Sequence, residues 1–290
     1  MRSIRYVSIT IIMALCAAPA SAVTWYVHPG GAGDALTIQG GVNLAASGDI
    51  VLVASGTYTG AGNVNVNFGG KAIAVTSESG AYFTVIDCQN TAQGFIFENG
   101  ETSSSVLDGF TIRNGSGVKG GAIYCDEVSV TIRHNILINN YASTSGGAIH
   151  AKKGAALIYN NTLDGNNSPV GGGISFQGPS SPQVYQNIIC NSAAGGAFSC
   201  AGSFGGLVAC NDVYANTGGN TICAGGNGTN FSLDPLFCGI PGSGNFFLQQ
   251  TSPCAPAFSP CAQPIGALDV QCQVTATSPV SWGKVKNLYR

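Results

Sequence analysis

The chain sets a few chemically active side chains at a fixed spacing. Asp126 and Glu127 stand 26 residues before Lys152 and Lys153, and Tyr124 stands 26 before His150. If the chain repeats with that period, each acid sits one turn beneath a lysine and the tyrosine beside the imidazole. Two readings follow. Opposite charges on successive turns make a surface ion-pair ladder worth well under ~1 kcal/mol per exposed pair. The same six side chains also form a patch that could stack on a sugar ring and carry a titratable group, for carbohydrate binding or catalysis. Asp108 and His134, again 26 apart, make a second acid–imidazole pair.

Whether these groups meet depends on the repeat. GGAIYC from Gly120, GGAIHA from Gly146, GGGISF from Gly171, GGAFSC from Gly195 and GGNTIC from Gly218 start 26, 25, 24 and 23 residues apart. Between them run HNILINN from His134, NNTLDGN from Asn160, QNIICNS from Gln186 and CNDVYAN from Cys210, with DGFTIRN from Asp108 ahead of them. VTIRH, LIYN, QVYQ or LVAC precedes each of the last four. The apolar runs are too short for helices and are separated by Gly, Asn and Ser, so they read as strands.

Three short strands per coil of about 25 residues, each coil ~4.8 Å from the next, predict an all-β fold: a single-stranded, right-handed parallel β-helix. Ile123, Ile149, Ile174 and Phe198 should form one inward ladder, and Leu163, Ile189 and Val213 another. Asn135, Asn161, Asn187 and Asn211 fall in one column, and Asn114, Asn140, Asn166 and Asn216 in a second. Asn tolerates left-handed corners, and its amide can bond its own copy on the next coil. Residues 37–47, TIQGGVNLAAS, place Ile38, Val42 and Ala45 on one helical face with Thr37 as N-cap, a helix suited to cap the first coil.

Arg2 and Arg5 precede an apolar run from Val7 to Ala18 that ends in Ala20, Ser21 and Ala22. This predicts a signal peptide over 1–22 and a secreted or cell-surface protein; Leu15 argues against lipidation at Cys16. No later stretch is long and apolar enough to span a membrane. Charged residues are 8% of the chain and the net charge is −2, which disfavours nucleic acid as a partner. Beyond the signal the expected organisation is a β-helix over 23–235, a Cys-rich capping region over 236–275 and a tail over 276–290.

Ten of the eleven cysteines lie after the signal, without CxxC spacing, which favours disulfides over zinc. Cys200 and Cys223 occupy equivalent positions of GGAFSC and GGNTIC, and stacked Cα atoms ~4.8 Å apart suit a disulfide. Short loops further suggest Cys238–Cys254 and Cys261–Cys272 as staples of the final coils.

The stretch TIQGGVNLAASGDIVLVASGTYTG, followed by GGKAIAVTSESG, TVIDC, LDGFTIRNG and the GGAI coils, resembles secreted bacterial right-handed parallel β-helix proteins of the pectin-lyase-like superfamily. The GGAI and I-x-x-N pairing is similar to the repeats of polymorphic outer-membrane proteins, which are surface adhesins. In such a family a polysaccharide lyase implies calcium held by several carboxylates and a base, and a glycoside hydrolase implies carboxylates ~5–9.5 Å apart. Either needs acids in the same or neighbouring columns. The repeat aligns Asp108 with His134, Asn160, Gln186 and Cys210; Asp164 with Ile138 and Cys190; and Asp212 with Ile136, Thr162 and Ile188. No column stacks two carboxylates. The expected function is therefore non-catalytic, surface adhesion or the binding of a polysaccharide or surface glycan, with a lyase or glycoside hydrolase as the alternative. No metal or cofactor is expected apart from calcium in the lyase case. GSGVKG from Gly115 matches a dinucleotide-binding pattern but leads into a strand, and GGAGDAL from Gly30 only approaches a calcium nonapeptide.

Overall fold

The computed structural model describes residues 21–239 and 244–272. Cys16, nearly all of the expected signal peptide and the whole 276–290 tail lie outside the described residues. The chain winds into a parallel β-solenoid of about 9 turns, about 26 residues per turn, with little helix.

Three parallel sheets run along the stack. The first passes through Val106–Asp108, Thr131–Arg133, Leu157–Tyr159 and Gln183–Tyr185. The second includes Thr111–Arg113, Ile136–Ile138, Thr162–Asp164, Ile188–Cys190 and Asp212–Tyr214. The third joins Phe95–Phe97, Ile123–Asp126, Ile149–Gly154, Ile174–Ser180 and Phe198–Ala201. Ile123, Ile149, Ile174 and Phe198 pair in register and are buried, as are Leu163, Ile189 and Val213. No single turn could bury both ends of such a ladder, so stacking creates the core.

The Gly-Gly phrase has two separate causes. Its first glycine is left-handed at Gly120, Gly146, Gly171 and Gly195, with φ of 66, 69, 63 and 65°, a region other residues enter at a cost. Its second lies against the next turn: a Cβ on Gly147 would stand 2.3 Å from the Gly172 carbonyl oxygen. A column of asparagines holds the corner between the first and second sheets. Asn161 Oδ1 accepts from the backbone and side-chain nitrogens of Asn135 at 3.0 and 3.1 Å, and its own Nδ2 donates to Asn187 Oδ1 at 2.9 Å and to the Ile132 and Tyr159 carbonyls. The column continues through Asn211 to Asn230. Every polar atom of these buried amides finds a partner, which burial demands.

The second asparagine column needs a correction. Asn140 and Asn166 stack, but the Gly115 amide donates to Asn140 Oδ1 and the Ser192 amide to Asn216 Oδ1. Gly115 and Ser192 therefore hold the neighbouring places. Asn114 sits one position earlier, in left-handed backbone like Asn139 and Asn191.

At the N-terminal end Ile38–Leu44 is helical, with the Thr37 hydroxyl accepting from the Gly40 amide at 3.1 Å. A Cβ on Gly41 would lie 2.6 Å from Val27 and 2.8 Å from Val51, so glycine lets the helix settle onto the first turns despite its poor helix propensity.

The described residues beyond Asp234, 235–239 and 244–272, form a strap along the outside of the second sheet. Phe246 packs with Ala81, Ile136 and Ile138, while Leu248, Cys254 and Ile265 pack with Ile188 and Cys190. Amide donors tie this strap down: Gly266 to the Gln186 carbonyl at 2.8 Å and Ala267 to Thr162 Oγ1 at 3.0 Å.

Cys200 and Cys223 are joined, with Cα atoms 5.8 Å apart. The expected C-terminal pairs are not formed; the bonds are Cys238–Cys272 and Cys210–Cys261. Leu248–Gln249 pairs with Val270–Cys272, and the Cys238 amide donates to the Phe247 carbonyl at 2.7 Å, which brings Cys272 rather than Cys254 to Cys238. Cys261 reaches the corner residue Cys210 instead. Cys254 remains a buried free thiol facing the second sheet.

Candidate functional site

The strap divides the outer surface. Second-sheet side chains that point outward are covered along much of their length, and the strap meets the first sheet at its corner residues Asn160, Gln186 and Cys210.

On the third sheet the 26-residue step places the expected residues together. Tyr124 pairs with His150 and Asp126 with Lys152. The two rings are stacked, with centroids 5.8 Å apart and planes 6° apart. Lys152 Nζ donates to Asp126 Oδ2 at 3.0 Å, and the Tyr124 hydroxyl donates to the same oxygen at 3.1 Å. Lys153 pairs with Glu127 just beyond, at the corner between the third and first sheets. Burial raises the Asp126 carboxyl, but the bonds from Lys152 and Tyr124 outweigh it and hold the group below the ordinary carboxylate range. Burial, then Asp126, pushes the Tyr124 phenol up to about 12.

His150 is not the exposed ring the sequence suggests: its relative accessibility is 0%. Ser116–Lys119 and Tyr141–Ser145 form a short parallel pair beside this face, and the Ser145 hydroxyl lies 3.0 Å from His150 Nδ1. Burial, together with the charges of Lys119 and Lys152, lowers the imidazole to about 4 against the opposing pull of Asp126, so the ring is neutral at physiological pH.

On the first sheet Asp108 and His134 meet, though not by the expected alignment. Asp108 pairs with Arg133, and Arg133 with Tyr159, which pairs with Tyr185. His134 occupies the left-handed corner column shared with Gly109, Asn160, Gln186 and Cys210. From there its Nδ1 lies 2.9 Å from Asp108 Oδ1, while Arg133 bonds Asp108 Oδ2 at 2.8 Å and the Tyr159 hydroxyl at 3.0 Å. Tyr159 and Tyr185 stack at 5.0 Å, and His134 meets Tyr159 edge-on. Burial raises the Asp108 carboxyl; the His134 bond and the Arg133 charge more than offset it and hold it low. Arg133 and the two tyrosines were missed from sequence, although the TIR, LIY and QVY phrases carry them at one position of successive turns.

Asp164 and Asp212 keep the expected columns and stack on no second carboxylate. The strap, however, brings Asp234 to a cavity of about 390 Å³ that Asp164 also lines, with Asn191, Tyr214 and Gln249. Among the described residues no group of three or more His, Cys, Asp or Glu side chains is arranged to hold a metal ion, and no helix is long and apolar enough to cross a membrane. No family model, curated protein or solved structure matches the chain.

Proposed function

We propose that this chain is a secreted or cell-surface solenoid of the pectin-lyase-like kind that binds a polysaccharide or surface glycan without turning it over. The observation that carries the reading is the outward column Asp108, Arg133, Tyr159 and Tyr185, flanked by His134. It offers phenol rings with polar tips, a guanidinium and an imidazole on a half-exposed face, beside the corner where the strap bonds Asn160 and Gln186. Sugars present apolar ring faces and hydroxyl groups, which such side chains match. Three disulfides fit an oxidising location. A net charge of −2 gives no basic track for nucleic acid.

Titrating the purified protein against a glycan panel tests this. A binding glycan should lose at least about tenfold in affinity with Tyr159→Ala and with Arg133→Ala. Binding that survives both substitutions, or a panel without binders, would overturn it.

The cavity shared by Asp164 and Asp234 favours a second reading, a glycoside hydrolase. New reducing ends from any panel member, abolished by Asp164→Asn and by Asp234→Asn, would establish that reading in place of the first.

A further inference from the structure

The third sheet carries a feature that neither reading uses. A groove of about 240 Å³ is lined by Lys119, Ser145, His150, Ser175, Gln177 and Ser199, among others. His150, Ser175 and Ser199 follow one another on successive turns at the same outward position.

His150 Nε2 is buried and has no hydrogen-bond partner. Such an atom is costly to leave unmatched. Ser145 takes up the other ring nitrogen. When the hydroxyl donates to Nδ1, the ring proton sits on Nε2, which becomes a donor lacking an acceptor.

Lys119 supplies charge at the same place. Its strand belongs to the turn that enters Ile123–Asp126, yet its ammonium reaches Gln177 Oε1 at 2.9 Å, two turns further on, spanning the turn that holds His150. Lys152 is paired with Asp126, whereas among the described residues Lys119 has no carboxylate partner. A cation held only by an amide oxygen, an unmatched buried imidazole nitrogen and two serine hydroxyls converge on one groove. What they lack in common is an acceptor with several oxygens and negative charge.

We infer that this groove binds a tetrahedral oxyanion, a sulfate or phosphate group, which accepts from His150 Nε2 and draws Lys119 from Gln177, with the Ser175 and Ser199 hydroxyls serving its remaining oxygens. Tetrahedral geometry suits donors that approach from the floor, from the side and from successive turns, where a planar carboxylate would satisfy fewer of them. The site lies on a different sheet from the tyrosine column, so it stands or falls separately from glycan binding there.

The chain has three histidines, His28, His134 and His150, which makes ring NMR signals a direct readout. The full folded protein, with labelled histidine, is titrated with inorganic sulfate, inorganic phosphate, sodium acetate, N-acetylglucosamine 6-sulfate and its unsulfated parent, at constant ionic strength. Sulfate or phosphate should move the His150 signals saturably and leave those of His28 and His134 in place. Lys119→Gln should weaken that response at least about tenfold, while leaving the unliganded spectrum of the core intact. A lower half-saturation for the sulfated sugar than for inorganic sulfate would identify an ester as the source, and the reverse order a free ion. The inference is overturned if His150 shows no saturable response to any tetrahedral ion, if acetate matches sulfate, or if Lys119→Gln responds like the wild type.

Discussion

The thiol of Cys254 donates to the carboxylate of Asp212 at 3.2 Å, linking the strap to a second-sheet strand across a buried interface. Burial raises the Asp212 acid to about 6 from its ordinary 3.8, against the opposing bonds from Leu233 and Cys254. An acid raised on folding gives stability that is fully present below the unfolded value and is lost as pH climbs through the folded one. Asp212→Asn should therefore melt higher than wild type at pH 7.5, by roughly 1–3 kcal/mol of stability. That gap should close near pH 4. Thermal melts at the two pH values check the sign.

Asn161→Ala removes the acceptor of the Asn135 amide and strips two carbonyls and Asn187 of a donor. A loss of about 2–4 kcal/mol is expected in urea denaturation. Asn43→Ala, at an exposed site whose side chain bonds only Gln39 and whose carbonyl bond from Lys71 the substitution leaves in place, should change stability by less than about 0.5 kcal/mol.

Gly147→Ala would press a methyl group into the Gly172 carbonyl, and the rigid backbone of the next turn leaves it no room. Little soluble folded protein is expected. Gly228→Ala, where a Cβ meets nothing within 4 Å, should express and melt like wild type. Comparing soluble yield and melting temperature separates the two.

Peptide mapping without reduction should recover Cys200–Cys223, Cys210–Cys261 and Cys238–Cys272. Cys254 should resist alkylation in the folded protein and react once the chain is unfolded. A recovered Cys238–Cys254 peptide would contradict the strap's path.

The stacked turns were legible because stacking imposes a recurrent need at each corner: a left-handed residue, a residue without a side chain, an amide that bonds its copy. Gly146, Gly147 and Asn161 answer those needs visibly. The alignment slipped by one at Asp108 because the place below Asn135 belongs to Phe110, whose amide donates to Asn135 Oδ1. With no asparagine there, nothing in the phrase DGFTIRN marks the column. Tyr124, Asp126 and Lys152 were found from the 26-residue step alone. The burial of His150 was not, because it depends on Ser116–Lys119 and Tyr141–Ser145, which lie to the side of the repeat. The strap left a signal that went unused: Ile136–Ile138 and Ile188–Cys190 are apolar at all three positions, as strands covered on both faces are, whereas TIR and QVY alternate.

The strap also acts as a gauge of length. A solenoid can grow or shrink by a whole turn, because each new turn presents the same ledge to the next. Here Phe246 must meet Ile136 and Ile138 while Ile265 and Leu248 meet Ile188 and Cys190. A turn inserted between those strands would carry the two docking points apart by ~4.8 Å with no slack in the strap to follow. The segment that covers the second sheet therefore counts the turns beneath it, and duplication, the simplest way to lengthen such a protein, is blocked along that stretch.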